Sequence, residues 1–275
     1  MTETPEELVE FAVQIARKAG RYLMSQLPLG KWERGEIEHK EGRELVTEVD
    51  RTSERMLVAA VRSRFPEHAI VAEEGGAALG ADGEAEIRWI IDPLDGTTNY
   101  LHSFPQFSVS IALKQGDDLH SAVVYDPLRE ELFNATRGAG AFLNERRIRV
   151  TGRKNLDGAL LGTGIPFRDL THVDAYLGMM KDLVQDTAGV RRPGSAALDF
   201  AYVAAGRLDG FWELGLAPWD FAAGALLVKE AGGVVSDLAG GQRHFDTGNV
   251  IAAGVRLHLD MVKAIHPHLS ENLRA

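Results

Sequence analysis

The residues best suited to chemistry are two aspartates, Asp92 and Asp95, which lie three positions apart in the octet DPLDGTTN. They follow an apolar run at residues 87–91 that is typical of a buried strand. Pro93 and Gly96 interrupt the strand pattern, so we expect both aspartates on a turn at the strand's end. Like charges this close raise each other's pKa unless a cation lies between them. Such oxygen-rich clusters suit magnesium, manganese or calcium better than zinc or copper.

The second half of the octet adds a candidate anion site. Gly96, Thr97 and Thr98 offer backbone N–H groups where a helix could begin, and a helix start binds anions such as phosphate. Carboxylates that hold a metal beside such a cradle indicate metal-assisted phosphoryl chemistry. A plain strand-to-helix turn is the alternative, but the coincidence of so many special residues favours a functional site.

Other acidic residues stand at the ends of predicted elements. Glu73 and Glu74 end a short strand at residues 69–72, and if this strand neighbours the next one, Glu73 faces the same end of the sheet as Asp92. Ligands of α/β sheets gather at the carboxyl ends of strands. Taken alone, the Glu pair is better explained as a solvated turn. Asp50 opens a helix, where N-capping is the simplest explanation.

Three downstream segments could complete a pocket. Asp220 follows Pro218 at a helix start, where a carboxylate caps the helix or, if buried, serves as a metal ligand. The segment at residues 192–196 resembles another helix start with free amides for a polar ligand. Glu213, at the end of a strand, could accept hydrogen bonds from hydroxyl groups.

Composition excludes several classes of function. The chain has 275 residues, a net charge of -10 and no cysteine, so disulfides, thiolate metal sites and cysteine nucleophiles are excluded. The acidic balance argues against broad non-specific nucleic-acid binding. No dinucleotide fingerprint, P-loop or nucleophile elbow occurs. The N-terminal residues lack a signal-peptide pattern and no run approaches a membrane span of roughly 20 residues, which predicts a soluble cytoplasmic protein without membrane contact.

The hydrophobic periodicity predicts an α/β (α+β) chain. Its length favours one domain, 1–275, and the pattern changes near residues 150–160, which suggests subdomains 1–155 (metal-binding, α+β) and 156–275 (α/β). Residues 31–44 are polar and predict an exposed loop or irregular hairpin. Helices are predicted after Thr4, before Pro66 and at 174–184, 195–205, 219–231 and 257–268, and strands at 69–72, 87–91, 107–113, 121–125, 131–135, 141–143, 209–214 and 250–253.

Together these motifs resemble the inositol monophosphatase family, in particular its bacterial SuhB-type branch. Glu73-Glu74, the octet and Trp219-Asp220 occur in the family's order and spacing, and residues 45–50 and 194–196 also fit. The resemblance covers nearly the whole chain. It implies an alternating αβαβα layered sandwich of the inositol monophosphatase and fructose-1,6-bisphosphatase type. It also implies a homodimer and a magnesium-dependent, lithium-sensitive phosphatase that releases inositol by direct attack of water.

The resemblance assigns roles residue by residue. It implies two magnesium ions, a weaker third that depends on Glu73, and manganese as a substitute. Thr97 with Asp50 would orient and deprotonate the attacking water. Ala217 departs from some animal enzymes, which carry histidine there, so contacts near the leaving group differ. The implied catalytic residues are Asp50, Glu73 and Thr97; the implied metal ligands are Glu73, Asp92, the Leu94 carbonyl, Asp95 and Asp220; the implied substrate-binding residues are Asp95, Gly96, Thr97, Gly194, Ser195, Ala196, Glu213 and Asp220.

Two alternatives stay open. The same chemistry could act on fructose 1,6-bisphosphate or 3′-phosphoadenosine 5′-phosphate, although Glu213 and the short chain favour inositol phosphates. A different class of function is a binding protein, because SuhB-type proteins are linked by resemblance to RNA polymerase and transcript processing. The arginines at 191–192 or 146–149 would be candidates for that contact. The intact metal motif favours an enzyme.

Overall fold

In the computed structural model, the chain alternates three helical layers with two main β-sheets. The structure describes residues 3–27, 37–39, 45–75, 85–167 and 169–274. Of the segment at 31–44, only the strand Ile37–His39 lies within these ranges. The rest of that predicted loop lies outside the described residues.

The elements are numbered in chain order. The helices are α1 (Pro5–Gln26), α2 (Glu48–Arg64), α3 (Thr97–Leu101), α4 (Val173–Val184), α5 (Ala196–Ala204), α6 (Pro218–Glu230), α7 (His244–Thr247), α8 (Val255–Ile265) and α9 (Glu271–Arg274). The strands are β1 (Ile37–His39), β2 (Leu45–Thr47), β3 (Ala69–Ala72), β4 (Ile87–Asp95), β5 (Ser108–Gln115), β6 (Asp118–Asp126), β7 (Glu131–Thr136), β8 (Gly140–Leu143), β9 (Arg146–Arg147), β10 (Leu160–Thr163), β11 (Gly189–Arg191), β12 (Gly210–Glu213), β13 (Gly233–Ser236) and β14 (Val250–Gly254).

The first helical layer, α1 and α2, covers one face of a seven-stranded sheet. Each helix begins with a capping box, formed by Thr4 with Glu7 and by Thr47 with Asp50. The apolar stripes of both helices share one core with Trp89 of the sheet. The sheet runs in the order β3-β4-β5-β6-β7-β8-β9, parallel between β3 and β4 and antiparallel elsewhere.

The middle layer, α5 and α6, lies between the two sheets. The buried side chains of both helices form one core with residues from each sheet. Gly224 permits the close approach of the helices, because a Cβ atom there would lie 2.3 Å from the Cβ of Phe200. Both helices are therefore buried on several sides.

The second sheet has five strands in the order β11-β10-β12-β14-β13. Its strand β10 is parallel to both β11 and β12, and β14 is antiparallel to its neighbours. The outer face packs against α4 and α8 in a third core. The five layers confirm the predicted αβαβα sandwich.

The predicted long helices and strands are present, and the shortest strands were missed. Strands β9, β10, β11 and β13 were missed, because they have two to four residues each, too few to show a period. Strands β1 and β2 form an antiparallel hairpin, which agrees with one of the two expectations for residues 31–44. No described helix is both long enough and apolar enough to cross a lipid bilayer. The proposed division into subdomains near residue 155 stays a prediction.

Candidate active site

The ends of β3 and β4 bring the first two acidic residues together. These strands are parallel neighbours, with Ala72 beside Ile91, and the backbone N–H of Glu73 donates to the Ile91 carbonyl at 3.3 Å. The carboxyl ends of parallel strands meet at one edge of a sheet. The prediction that Glu73 and Asp92 face the same end is therefore confirmed.

The two aspartates of the octet are strand residues, so their placement on a turn was wrong. Asp92 pairs with Ser110 and Asp95 with Ser108, with a register shift between the two pairs. A bulge of this kind absorbs Pro93 without ending the strand. Within the bulge, the Leu94 N–H donates to Asp92 Oδ1 at 3.0 Å. The short helix α3 then begins at Thr97, as predicted for the anion cradle.

Asp50 holds Thr97, the first residue of α3, through a side-chain hydrogen bond. It is the third residue of α2 and only 1% exposed, and its Oδ1 accepts a hydrogen bond of 2.8 Å from Thr97 Oγ1. Its other oxygen accepts from the Thr47 N–H and hydroxyl. Burial raises the pKa of Asp50, and these hydrogen bonds oppose the rise. Thr47 is thus the N-cap, and Asp50 completes the capping box while holding Thr97.

Two further residues of α2 hold the site, and sequence reasoning missed their roles. Ser53 is buried in α2, and its hydroxyl donates to the Pro93 carbonyl at 3.0 Å. Glu54 accepts a hydrogen bond of 2.6 Å from the backbone N–H of Glu74. Positions 50, 53 and 54 share one helix face. A polar face at these positions of an amphipathic helix is the sequence feature from which their role in the site could have been predicted.

The start of α5 holds Asp95. Ser195 Oγ donates to Asp95 Oδ2 at 2.5 Å, and the Ala197 N–H donates to the same oxygen at 2.9 Å. Burial raises the pKa of Asp95 to about 7, although these hydrogen bonds lower it. Asn99 joins the same two segments, because its side-chain amide donates to the Pro193 carbonyl at 2.8 Å. The octet and the start of α5 are therefore one hydrogen-bonded unit.

Asp220 enters from the third residue of α6. The helix begins at Pro218, and Asp220 Oδ2 accepts from the Ala217 N–H at 2.7 Å. Asp220 is therefore buried at a helix start, as predicted, although it is not the N-cap itself. Its charge, with those of Glu73 and Asp95, adds to burial in raising the pKa of Asp92 well above the usual range. Four acidic side chains thus form one electrostatic cluster.

A cavity of about 690 Å³ lies in front of this cluster. Every site residue predicted from the sequence lines this cavity except Asp50, which lies behind Thr97. Glu213 is at the end of β12, on the wall opposite the octet. The predicted residues that line the cavity are Glu73, Asp92, Leu94, Asp95, Gly96, Thr97, Gly194, Ser195, Ala196, Glu213 and Asp220.

The donors at the octet match the chemistry of a hard divalent cation. They are carboxylate oxygens and the Leu94 carbonyl, which accepts from Thr97 Oγ1 at 3.2 Å. Among the described residues, no group of three or more His, Cys, Asp or Glu side chains is placed so that it could hold a metal ion. Burial and the charges of Glu73, Asp95 and Asp220 raise the pKa of Asp92, and a bound cation would relieve the repulsion among these acids.

Comparison with known proteins agrees with this architecture. A family model described as the inositol monophosphatase family matches residues 4–273. A Pseudomonas aeruginosa protein named Nus factor SuhB is 49% identical over 271 residues, which cover 98% of this chain and 99% of that protein. The crystal structure of the extragenic suppressor protein suhB from Bartonella henselae has a TM-score of 0.87 at 39% identity and covers 94% of this chain and 98% of its own. An IMPase from Thermotoga maritima has a TM-score of 0.84 at 36% identity, with 96% and 98% covered.

The five layers and the acidic pocket at the strand ends define the class of αβαβα proteins to which these solved structures belong. The chain belongs to the inositol monophosphatase family. The resemblance drawn from its motifs is confirmed.

Proposed function

We propose that this protein is a magnesium-dependent phosphatase that hydrolyses inositol monophosphates to inositol and phosphate. The observation that carries the proposal is the hydrogen bond from Thr97 Oγ1 to Asp50 beside four interacting acidic side chains. Family membership supports a phosphatase, and the substrate and the metal are the parts that remain to be tested.

The proposed metal ligands are the acids of the cluster and one backbone oxygen. Bound divalent ions would neutralise charge on the transferred phosphoryl group and make water more acidic. The site would hold two magnesium ions and, at Glu73, a third that binds more weakly. Manganese would substitute for magnesium, and lithium would inhibit the enzyme. The ligands would be Glu73, Asp92, the Leu94 carbonyl, Asp95 and Asp220.

Thr97 and Asp50 would prepare the attacking water. Thr97 Oγ1 lies 2.8 Å from Asp50 Oδ1 and 3.2 Å from the Leu94 carbonyl, and its single proton would go to the nearer, charged acceptor, Asp50. A lone pair of Thr97 Oγ1 would then accept a proton from water. Glu73, which lines the cavity beside Asp92, would help to orient that water. The water oxygen would form a bond to phosphorus while the bond from phosphorus to the inositol oxygen breaks. The proton lost by the attacking water would pass through Thr97 to Asp50. A solvent water molecule would protonate the leaving inositol oxygen, and Asp50 would return its proton to solvent. No side chain becomes phosphorylated.

The substrate would lie between the octet and the second sheet. Backbone N–H groups of Gly96 and Thr97 would hold the phosphate, as expected at a helix start. The inositol hydroxyls would donate to Glu213 and the acids of the cluster, and the 194–196 segment would line the ring. Gly194, Ser195 and Ala196 all line the cavity on that side.

The test is phosphate release from inositol 1-phosphate. We expect turnover with magnesium, lower turnover with manganese, none after chelation, and inhibition when lithium is added. Fructose 1,6-bisphosphate and 3′-phosphoadenosine 5′-phosphate in the same assay test the alternative substrates. Faster turnover of either compound would replace inositol phosphate in the proposal, and metal-independent turnover would contradict the mechanism.

A second candidate function is favoured by the names of the relatives, since the Pseudomonas protein is called a Nus factor. In that case the chain would bind RNA polymerase as a transcription accessory protein. Arg146 and Arg147 on β9 and Arg191 on β11 are exposed and available for a contact. A pull-down with RNA polymerase at physiological salt tests this, with Asp220→Asn as the comparison. Binding that survives in the inactive variant would establish a separate role.

The homodimer and the cytoplasmic location are part of the same proposal. Membership of the inositol monophosphatase family supports this part of the proposal. Sedimentation velocity over a concentration series tests the dimer, and a monomer at all concentrations would contradict it. Fractionation of the source cells tests the location.

A further inference from the structure

A glycine beside Glu213 has no role in the mechanism above. Gly164 directly follows β10, and Glu213 is the last residue of β12. The two strands are parallel neighbours with Thr163 beside Trp212, so Gly164 and Glu213 come next on the two chains. Both residues line the cavity. Gly164 therefore belongs to the same wall as a proposed substrate contact.

The carboxyl group of Glu213 occupies the space that a side chain at position 164 would need. A Cβ atom on Gly164 would lie 1.8 Å from Glu213 Oε1 and 1.9 Å from the carboxyl carbon. Both distances are far below van der Waals contact, which lies at about 3.5 Å or more. The three atoms nearest to that position, outside the adjacent residues of the chain, all belong to the Glu213 side chain. The carboxyl group therefore packs directly against the Cα of Gly164.

The backbone around Gly164 is held in place on the side of β12. Thr163 Oγ1 donates to the Trp212 carbonyl at 2.9 Å, which joins the residues that precede Gly164 and Glu213. Thr163 and Trp212 are both fully buried. A side chain at position 164 would therefore move the flexible end of Glu213 and not the two strands.

The conformation of Gly164 does not itself require glycine. Its φ is not positive, so an L-amino acid fits the backbone at this position. The close approach of Glu213 is the feature that excludes a side chain. An alanine here would keep the backbone conformation and act on Glu213.

We propose that Gly164 is a specificity-determining residue, whose missing side chain lets the Glu213 carboxyl group lie against the cavity wall and leaves room for the ring of a polyol phosphate. The inference rests on the proposed function and adds a residue to its substrate site. A side chain at position 164 would push the carboxyl group into the cavity that both residues line. The displaced group would then occupy space that the polyol ring needs, while the phosphoryl chemistry at the octet stays unchanged.

The test is Gly164→Ala, assayed with magnesium for release of inositol from inositol 1-phosphate. We expect KM to rise about tenfold, as for the loss of one hydrogen-bonded contact, with kcat within about twofold of the parent. Inorganic phosphate has no ring and should inhibit the parent and the variant with the same inhibition constant. A weaker inhibition by phosphate in the variant would place the damage at the octet and overturn the role of Gly164.

Two further variants show whether the effect passes through Glu213. Glu213→Ala removes the atoms that the new methyl group would contact, so Gly164→Ala should change KM less than about twofold in that background. Gly152→Ala is the matched control, because a Cβ there would have no atom within 4 Å, its φ is not positive and it does not line the cavity. This control should leave KM and the inhibition constant unchanged.

Chemical denaturation separates displacement of Glu213 from loss of the fold. If Gly164→Ala does not fold, its combination with Glu213→Ala should fold, because the nearest contacts of the new methyl group are then absent. An unfolded double variant, an additive rise in KM, or an unchanged KM in folded Gly164→Ala would overturn the role of Gly164 alone. A parent protein that releases no inositol would overturn the proposed function, on which the inference rests.

Discussion

Two walls of the cavity differ in the interactions that hold their side chains. The acidic wall, which consists of Glu73, Asp92, Asp95, Thr97 and Asp220, is held by hydrogen bonds from α2, α5 and the start of α6. The outer wall, by which we mean the lining residues Ile165, Phe167, Arg192, Leu216 and Leu273, has four apolar side chains and one arginine. Polar residues such as Glu213, Asn249 and Asn272 line the cavity elsewhere. In the outer wall, Arg192 lies over the ring of Phe167, 5.6 Å from the centroid, and Ile165 is 45% exposed.

This difference predicts which kinetic constant depends on each wall. Hydrogen bonds fix direction and distance, which the attack on phosphorus requires. Apolar and stacking contacts tolerate a change of shape at modest cost. We therefore expect substitutions in the acidic wall to reduce kcat and substitutions in the outer wall to change KM and substrate preference.

The largest effect is expected at the centre of the acidic wall. Asp92→Asn or Asp220→Asn removes a proposed metal-ligand charge and should lower kcat for inositol 1-phosphate more than about a thousandfold. Phosphate release at saturating substrate and magnesium measures the change. Turnover like that of the parent in either variant would contradict the assignment of the active site.

Thr97→Ala should slow the reaction by about a hundredfold, because it removes the hydroxyl between Asp50 and the attacking water. Magnesium affinity should change less than kcat, and Thr97→Ser should recover most of the rate. A magnesium titration measures both quantities at once. A shifted affinity with an unchanged rate would show that Thr97 serves the metal and not the water.

Ser53→Ala should lower kcat less than Thr97→Ala does, because Ser53 positions the bulge of β4 and is not itself a proposed catalytic group. It leaves the buried Pro93 carbonyl without its donor, which costs about 1–3 kcal/mol of unfolding free energy. A displaced bulge should also lower kcat about tenfold. The matched control is Thr52→Ala, the neighbouring residue, whose hydroxyl contacts the exposed Glu48. Chemical denaturation and kinetics that are the same for both variants would contradict the role of Ser53.

The smallest effect on rate is expected in the outer wall. Phe167→Ala should change KM by about threefold and leave kcat unchanged, because it removes a stacking contact and no reacting group. Phe104→Ala is the control, since Phe104 is 53% exposed and does not line the cavity. A large loss of kcat in Phe167→Ala would break the distinction between the walls.

Hydrophobic periodicity predicted the long helices and strands, because its signal lies within a few consecutive residues. The layered fold and most of the acidic wall were predicted from the resemblance of motifs such as the octet to a known family. The hydrogen bonds between α2 and the site could not be predicted from local sequence, because Ser53 and its partner Pro93 are 40 positions apart and Glu54 and Glu74 are 20 apart. Asp95 was placed on a turn because its pairing with Ser108 of β5 cannot be seen locally.

The shared support from α2 has a consequence for heat inactivation. Asp50, Ser53 and Glu54 hold the octet at two points and the backbone of Glu74 at a third, all from the first two turns of one helix. Fraying of those turns would release all three contacts together while both sheets stay intact. Enzymatic activity should therefore disappear on warming before the molecule melts, and amide hydrogen exchange at the beginning of α2 should follow the lost activity.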